Sequence, residues 1–214
     1  MQVWVQEQEE LTRGASALGV ELTQVQIEML ISYIQLLYKW NKAYNLTAIK
    51  DPGEMVKKHL LDSLAVVPLI SEKRVIDVGT GGGLPGIPMA ILQPEQHVCL
   101  LDSRGKKIRF LSHVKRDLQL NNVSLINGRV EEYIPENTYD VVVTRAFSSL
   151  RKMTELCEHL LSEGGCFKAM KGPGWRVEAE GLPPHIEVKE SCRLDVPGLN
   201  EERWLVTLAS TEKI

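Results

Sequence analysis

The run Val75-Ile-Asp-Val-Gly-Thr-Gly-Gly-Gly-Leu-Pro-Gly-Ile-Pro88 sets an acidic residue, Asp77, near the end of an apolar stretch and follows it with a glycine-crowded turn. Glycine lacks a Cβ and reaches φ > 0, so such a turn lets backbone amides come close to a ligand. The chemistry this suits is a nucleotide-like cofactor held at the mouth of a parallel sheet. Two spacings overlap here. Gly81-x-Gly83-x-x-Gly86 fits a dinucleotide fingerprint, and Asp77-x-Gly79-x-Gly81-x-Gly83 fits a loop that holds S-adenosylmethionine. A tight strand-to-helix turn without a ligand is the third account.

Other residues favour the second spacing. Asp77 is placed to receive the amino group of a methionine moiety or a loop amide. Asp102, in Cys99-Leu-Leu-Asp-Ser103, ends the next strand, where it can accept both ribose hydroxyls. The turn also begins about 70 residues into the chain, behind a helical part. In Asn127-Gly-Arg-Val-Glu-Glu132, Val130 and Glu131 sit where such folds meet the adenine, although Glu131 alone also reads as a helix-start carboxylate. Asp140-Val-Val-Val-Thr-Arg-Ala-Phe-Ser148 delivers Arg145 into the crevice at a strand's carboxyl end. A guanidinium there needs an anion, which a structural ion pair would supply as well as a ligand. Lys171, beside Gly172, faces the same crevice. Two cations beside a cationic sulfonium speak for an anionic substrate such as a phosphodiester backbone.

These residues need a frame. Residues 1–70 read as a helical extension: a helix over 22–40 with Thr23 as N-cap, then one from Pro52 to Val67 ended by Pro68. From 71 to 214 the pattern becomes alternating strands and helices. Strands are expected at 74–78, 97–102, 123–126, 139–144, 164–170, 185–192 and 203–209, with helices near 85–92, 104–119 and 149–161. Alternation implies a mostly parallel sheet, and the last two strands, joined through Pro197-Gly198, imply an antiparallel hairpin at one edge. Gly172-Pro-Gly174 and Pro183-Pro184 read as loops. The layout is an α/β, Rossmann-like class I methyltransferase fold with seven strands.

Composition sets limits. A net charge of −3 gives no global basic signal, so any nucleic acid must be met by a local patch or pocket. No apolar run approaches the roughly 20 residues that span a bilayer, and the polar start Met1-Gln-Val-Trp-Val-Gln-Glu-Gln-Glu-Glu10 is no signal peptide. A cytoplasmic protein is expected. The four cysteines, Cys99, Cys157, Cys166 and Cys192, show no metal-ligand spacing, and the five histidines are dispersed, so no metal site is expected. Cys99 and Cys166 read as buried, inert thiols. Oligomeric state is not legible, and a monomer is the default.

Methyl transfer from a sulfonium is an in-line displacement in which a protein supplies mainly alignment. Pyrimidine-carbon methylation calls for a nucleophilic cysteine, and no cysteine ends a strand at the crevice. Exocyclic-amine methylation calls for an Asn/Asp-Pro-Pro-aromatic loop, and Arg145-Ala-Phe-Ser148 stands there instead. A ring nitrogen with a free lone pair, such as guanine N7, needs neither. Tyr38-Lys-Trp-Asn-Lys-Ala-Tyr-Asn-Leu-Thr47 mixes cations, aromatics and amides suited to stacking bases and meeting phosphates. Its Lys39, Trp40, Asn41, Lys42 and Asn45, with Arg129, are the candidate RNA contacts, and Lys57-Lys-His-Leu-Leu-Asp-Ser63 adds local positive charge. By spacing alone, an amphipathic helix with core aromatics and solvated lysines is the simpler account.

In order along the chain, Lys39-Trp-Asn-Lys-Ala-Tyr-Asn-Leu-Thr47, His59-Leu-Leu-Asp-Ser63, the glycine run, Leu101-Asp-Ser103, Arg129-Val-Glu-Glu132, Thr144-Arg-Ala-Phe147 and Lys171-Gly172 resemble the RsmG family, also called GidB. These are bacterial methyltransferases that make 7-methylguanosine in 16S ribosomal RNA. The resemblance covers nearly the whole chain. It implies S-adenosylmethionine as donor and 16S RNA as partner, with a small-subunit particle favoured by the chain's acidity. Carried over by position, cofactor contacts fall on Gly79, Leu84, Val130, Glu131 and Arg145, while Arg145 and Lys171 would orient substrate. Gly82 stands where proline or alanine is frequent, and Thr144 replaces a frequent serine. The C-terminal hairpin matches only loosely. A non-catalytic RNA-binding factor that holds the cofactor structurally, and an NAD-dependent oxidoreductase, are the competing readings.

Overall fold

The structure is a computed structural model that describes residues 4–211; Met1, Gln2 and Val3 of the polar start lie outside the described residues. Its centre is a seven-stranded sheet in the order β3-β2-β1-β4-β5-β7-β6. The strands are β1 (Arg74–Val78), β2 (His97–Asp102), β3 (Val123–Asn127), β4 (Tyr139–Arg145), β5 (Leu161–Lys171), β6 (Ile186–Leu194) and β7 (Arg203–Ser210). The first five strands of that order run parallel, and β7 is antiparallel to both β5 and β6. The expected hairpin is present, with β6 at the edge and β7 turned inward against β5. β6 carries Glu187, Lys189, Glu190 and Arg193, charges that discourage further pairing at an open edge.

β1 and β2 are buried along nearly their whole length, as strands covered on both faces must be. Side chains alternate between two apolar layers. Val75, Val98, Leu100, Val141 and Val143 face one layer, while Ile76, Val78, Cys99, Leu101 and Val142 face the other. The first layer is closed by α1 (Val5–Ala17), α2 (Gln24–Tyr44), the helical run at 52–69, α5 (Gly86–Leu92) and α6 (Gly105–Asp117). The second is closed by α7 (Leu150–Cys157) and α8 (Trp175–Ala179).

Thr23 caps α2 as expected: its Oγ1 accepts from Gln26 N at 3.2 Å, and Thr23 N donates to Gln26 Oε1 at 2.9 Å. α2 runs four residues beyond the expected end and stops where Asn45 turns left-handed at φ 47°. The second helix is more broken than its sequence suggests. It comprises α3 (Pro52–Met55), a π-helical turn at Val56–Leu61 and α4 (Asp62–Leu64), and Pro68 lies inside a 3₁₀ turn at Val67–Leu69. α8 has no counterpart among the expected helices; its five residues are too few for a periodic signal.

β2 and β3 lie on one side of β1, and β4 and β5 on the other. The connections therefore diverge at the carboxyl ends of β1 and β4, which opens a crevice there. No described helix is long and apolar enough to cross a membrane. Among the described residues no cluster of His, Cys, Asp or Glu converges as metal ligands. Cys99 and Cys157 are buried; Cys166, expected to be buried, is only half-buried, and burial raises its thiol to about 11.

Candidate functional site

The glycine turn hangs from β2: Gly79 N and Thr80 N both donate to Leu101 O, at 2.9 and 3.1 Å. Asp77 lies beneath it, fully buried. Its Oδ2 accepts from Thr80 Oγ1 at 2.7 Å and from Gly86 N at 3.0 Å, and burial pushes the carboxyl up to about 6. Of the two roles offered for Asp77, the bonds to the Gly86 amide and the Thr80 hydroxyl are the bracing one, and its Oδ1 has no hydrogen-bond partner among the described residues. Gly83 is also structural, since at φ 96° its Cβ would stand 2.6 Å from Ile87 and 2.7 Å from Leu111.

A brace from the other side was not foreseen. Tyr33, fully buried on α2, donates its hydroxyl to Gly82 O at 2.7 Å, and burial raises its phenol so that it stays a donor. Tyr33→Phe leaves that carbonyl without this donor and is expected to cost about 1 kcal/mol of stability. Urea unfolding checks this; an unchanged midpoint would mean the bond contributes nothing.

Two hollows adjoin above the turn, and both are bordered by Gly79, Lys107 and Ala146. The smaller, about 430 Å³, is walled by Asp102, Arg104, Arg129, Val130, Glu131 and Phe147. Asp102 is fixed at its rim: its Oδ2 accepts from Gly81 N and its Oδ1 from Arg104 N, both at 2.9 Å. The larger, about 520 Å³, takes Gly81, Leu84, Arg145 and Lys171 from the sequence candidates, and adds Thr47, His59, Asp62 and Arg203. Ala146 holds φ 53° at the shared border, strain of the kind that gathers at functional sites.

The cations behave differently from the expectation. Arg145 Nη1 donates to Asp62 Oδ2 at 3.0 Å and to Lys58 O at 2.9 Å, a carbonyl on the π-helical turn. Asp62 Oδ1 accepts from Arg203 Nε at 3.2 Å. Lys171 Nζ donates to Glu178 Oε2 at 2.7 Å and to Ser148 O at 2.6 Å. Both predicted cations thus have carboxylate partners within the chain, so the inference from them to an anionic substrate does not stand. The structural ion pair, raised as the alternative for Arg145, is what forms. Asp62 and His59 lie in a quoted motif, yet spacing alone gave them no role. His59 is buried, with Nε2 2.9 Å from Thr47 Oγ1; burial, helped by Arg145, pushes its imidazole down to about 4 and keeps it neutral at physiological pH.

The candidate RNA contacts divide. Lys39 and Lys42 are exposed on α2, with the Lys42 ammonium 4.4 Å above the Tyr38 ring. Lys42, Asn45, Tyr38, Asn41 and Lys50 line a separate hollow of about 350 Å³. Trp40 is half-buried against Phe110 and His113, with ring centroids 5.7 and 5.4 Å away, so it docks α2 on α6. Asn41 is buried; its Oδ1 accepts from Thr47 N at 2.9 Å and its Nδ2 donates to Ile49 O at 3.2 Å. These two correct the RNA reading for Trp40 and Asn41, both of which hold the 44–49 loop or its helix in place. Arg129 is exposed, apart from the others, at the smaller hollow.

A family model described as GidB, rRNA small subunit methyltransferase G, matches residues 26–206. A ribosomal RNA small subunit methyltransferase G from Pseudomonas syringae is 49% identical over 206 residues, covering 96% of each chain. Its Escherichia coli namesake is 47% identical over 194 residues, covering 91% of this chain and 94% of the other. Among solved structures, the glycopeptide N-methyltransferase MtfA aligns with TM-score 0.57 at 11% identity, over 72% of this chain and 96% of that one. TrmN from Thermus thermophilus aligns with TM-score 0.56 at 17% identity, over 74% and 53%. At such identities they speak for the fold alone, which is the class I methyltransferase fold.

Proposed function

The chain belongs to the rRNA small subunit methyltransferase G (GidB) family, and from that membership we propose that it methylates guanine N7 in 16S ribosomal RNA, with S-adenosylmethionine as donor. The observation that carries the reading is the pair of hollows joined at Gly79, Lys107 and Ala146. The smaller suits the nucleoside part of the donor: Asp102 stands at a strand end for ribose hydroxyls, and Val130 and Glu131 lie where adenine would rest. Gly79, Gly81 and Leu84 floor the path from there into the larger hollow, which would receive the target base.

The donor supplies a methyl carbon made electrophilic by its sulfonium. In-line attack on that carbon by the N7 lone pair would return the S–C pair to sulfur and would require no proton to leave. The chain's residues suit a reaction without a base. Both oxygens of Asp62 are held by arginines, and His59 stays neutral and hydrogen-bonded. Nη2 and Nε of Arg145 have no partner among the described residues, so they remain free to orient the base's oxygen. Lys171 acts as a positioning residue that ties the segment after β4 to α8. Lys39, Lys42, Asn45 and Arg129 are the proposed RNA contacts. A net charge of −3 supports a small-subunit particle in the cytoplasm over naked RNA as substrate.

The test is transfer of tritium from labelled S-adenosylmethionine to small-subunit RNA or a pre-30S particle, with the labelled base mapped by mass. Label at a guanine N7 is expected. No label from folded protein that binds the donor would overturn the reading.

A further inference from the structure

Five cations line the larger hollow: Lys58, Lys107, Arg145, Lys171 and Arg203. Four are answered by carboxylates: Lys58 by Glu54 at 3.0 Å, Arg145 and Arg203 by Asp62, and Lys171 by Glu178. Lys107 is the exception. Among the described residues its ammonium has neither a carboxylate within ion-pair distance nor a hydrogen-bond acceptor, although the side chain is half-buried. Burial lowers its pKa, and Asp102, near enough to oppose that shift, lies beyond ion-pair reach.

Its position compounds the cost. Lys107 stands in the first turn of α6 among Arg104, Lys106 and Arg109, and α6 has no acidic residue there and no side-chain cap. The helix dipole presents positive charge at that end, so a cationic first turn is unfavourable. A partly desolvated, unpaired ammonium adds a second penalty. One anion placed at Lys107 Nζ would relieve both.

The place identifies the anion. Nζ lies over the glycine turn, 3.1 Å from where a Cβ on Gly81 would stand. Lys107 also borders both hollows, between the ribose position at Asp102 and the cleft of Arg145. The donor's sulfonium is bonded to the ribose C5′, and its amino-acid part continues beyond the sulfonium, so with the ribose at Asp102 that part would lie over the glycine turn beside Lys107. Its α-carboxylate is the anion delivered there, whereas Thr47 and Arg203 line the larger hollow alone and do not border the nucleoside side.

We propose that Lys107 binds the α-carboxylate of the donor and of its product, a contact that rests on the S-adenosylmethionine reading above. Calorimetric titrations of S-adenosylhomocysteine and of 5′-methylthioadenosine, which lacks the amino acid, test this on wild type, Lys107→Ala and Lys107→Arg. Lys107→Ala should weaken S-adenosylhomocysteine roughly ten- to hundredfold, the range for a hydrogen bond to a charged group. It should change methylthioadenosine less than about twofold, and Lys107→Arg should recover most of the loss. Equal weakening of both ligands would indicate a merely structural residue and overturn the proposal. Unchanged S-adenosylhomocysteine affinity with a raised KM for particle RNA would assign the ammonium to a phosphate and overturn it too. A wild type that binds neither ligand would overturn the donor reading itself.

Discussion

Asp62→Ala is expected to lower the unfolding free energy by about 3 kcal/mol, because it leaves two guanidiniums without their shared carboxylate. Asp62 is only 3% exposed, and its two oxygens hold Arg145 at 3.0 Å and Arg203 at 3.2 Å. Removing one member of a buried ion cluster usually costs about 3–5 kcal/mol. The lower end applies here, since the arginine side chains keep 22% and 28% of their surface in water and are partly screened. Asp62→Asn preserves the shape and one acceptor and should recover part of the loss. Urea denaturation of both variants checks the ordering, and a loss below about 1 kcal/mol for Asp62→Ala would show the cluster to be incidental. A double-mutant cycle with Arg145→Ala should be strongly non-additive, because the second change removes a charge that the first left stranded.

Gly79→Ala is expected to weaken S-adenosylhomocysteine binding by roughly tenfold or more, with a Tm lower by a few degrees. Gly79 sits at φ 70°, where a left-handed backbone costs an alanine about 1–2 kcal/mol. Its Cβ would also stand 2.7 Å from Cδ2 of Phe147, which walls the smaller hollow, so the ring must move into ligand space. A cost of about 1–2 kcal/mol corresponds to a few degrees for a chain of this size. Gly174→Ala is the control: nothing lies within 4 Å of its added Cβ, its φ is −75°, and it lines neither hollow. Binding by the control should stay within about twofold. If Gly79→Ala binds as well as that control, the turn is not the floor of the donor site.

Much of the frame was legible. β1 and β2 occupy the expected residues because a doubly covered strand is written as a short, nearly unbroken apolar run between turn residues. The Thr23 cap was legible because a capping box is a contact between residues three apart. The π-helical turn at Val56–Leu61 was not, since its residues carry ordinary helical periodicity and its widening coincides with an acceptor for an arginine 87 residues away. Trp40 shows the same limit from another side. An aromatic beside lysines reads equally as a base-stacking platform or a docking face, and only the arrival of α6 decides it.

The sequence by itself determined the strand order's ingredients, the glycine turn, the acidic residues at the carboxyl ends of β1 and β2, and the family. Tertiary structure alone decided which charge answers which. Asp62 meets Arg203 across 141 residues, Lys171 finds Glu178 only because α8 folds back, and Lys107 is left without a partner among the described residues. The physical reason is range. Caps, turns and hydrophobic periods are set by neighbours within one or two helical turns, so they can be read along the chain. The state of a charge depends on every group within a few ångströms, and that company is assembled by the order of strands and the packing of helices.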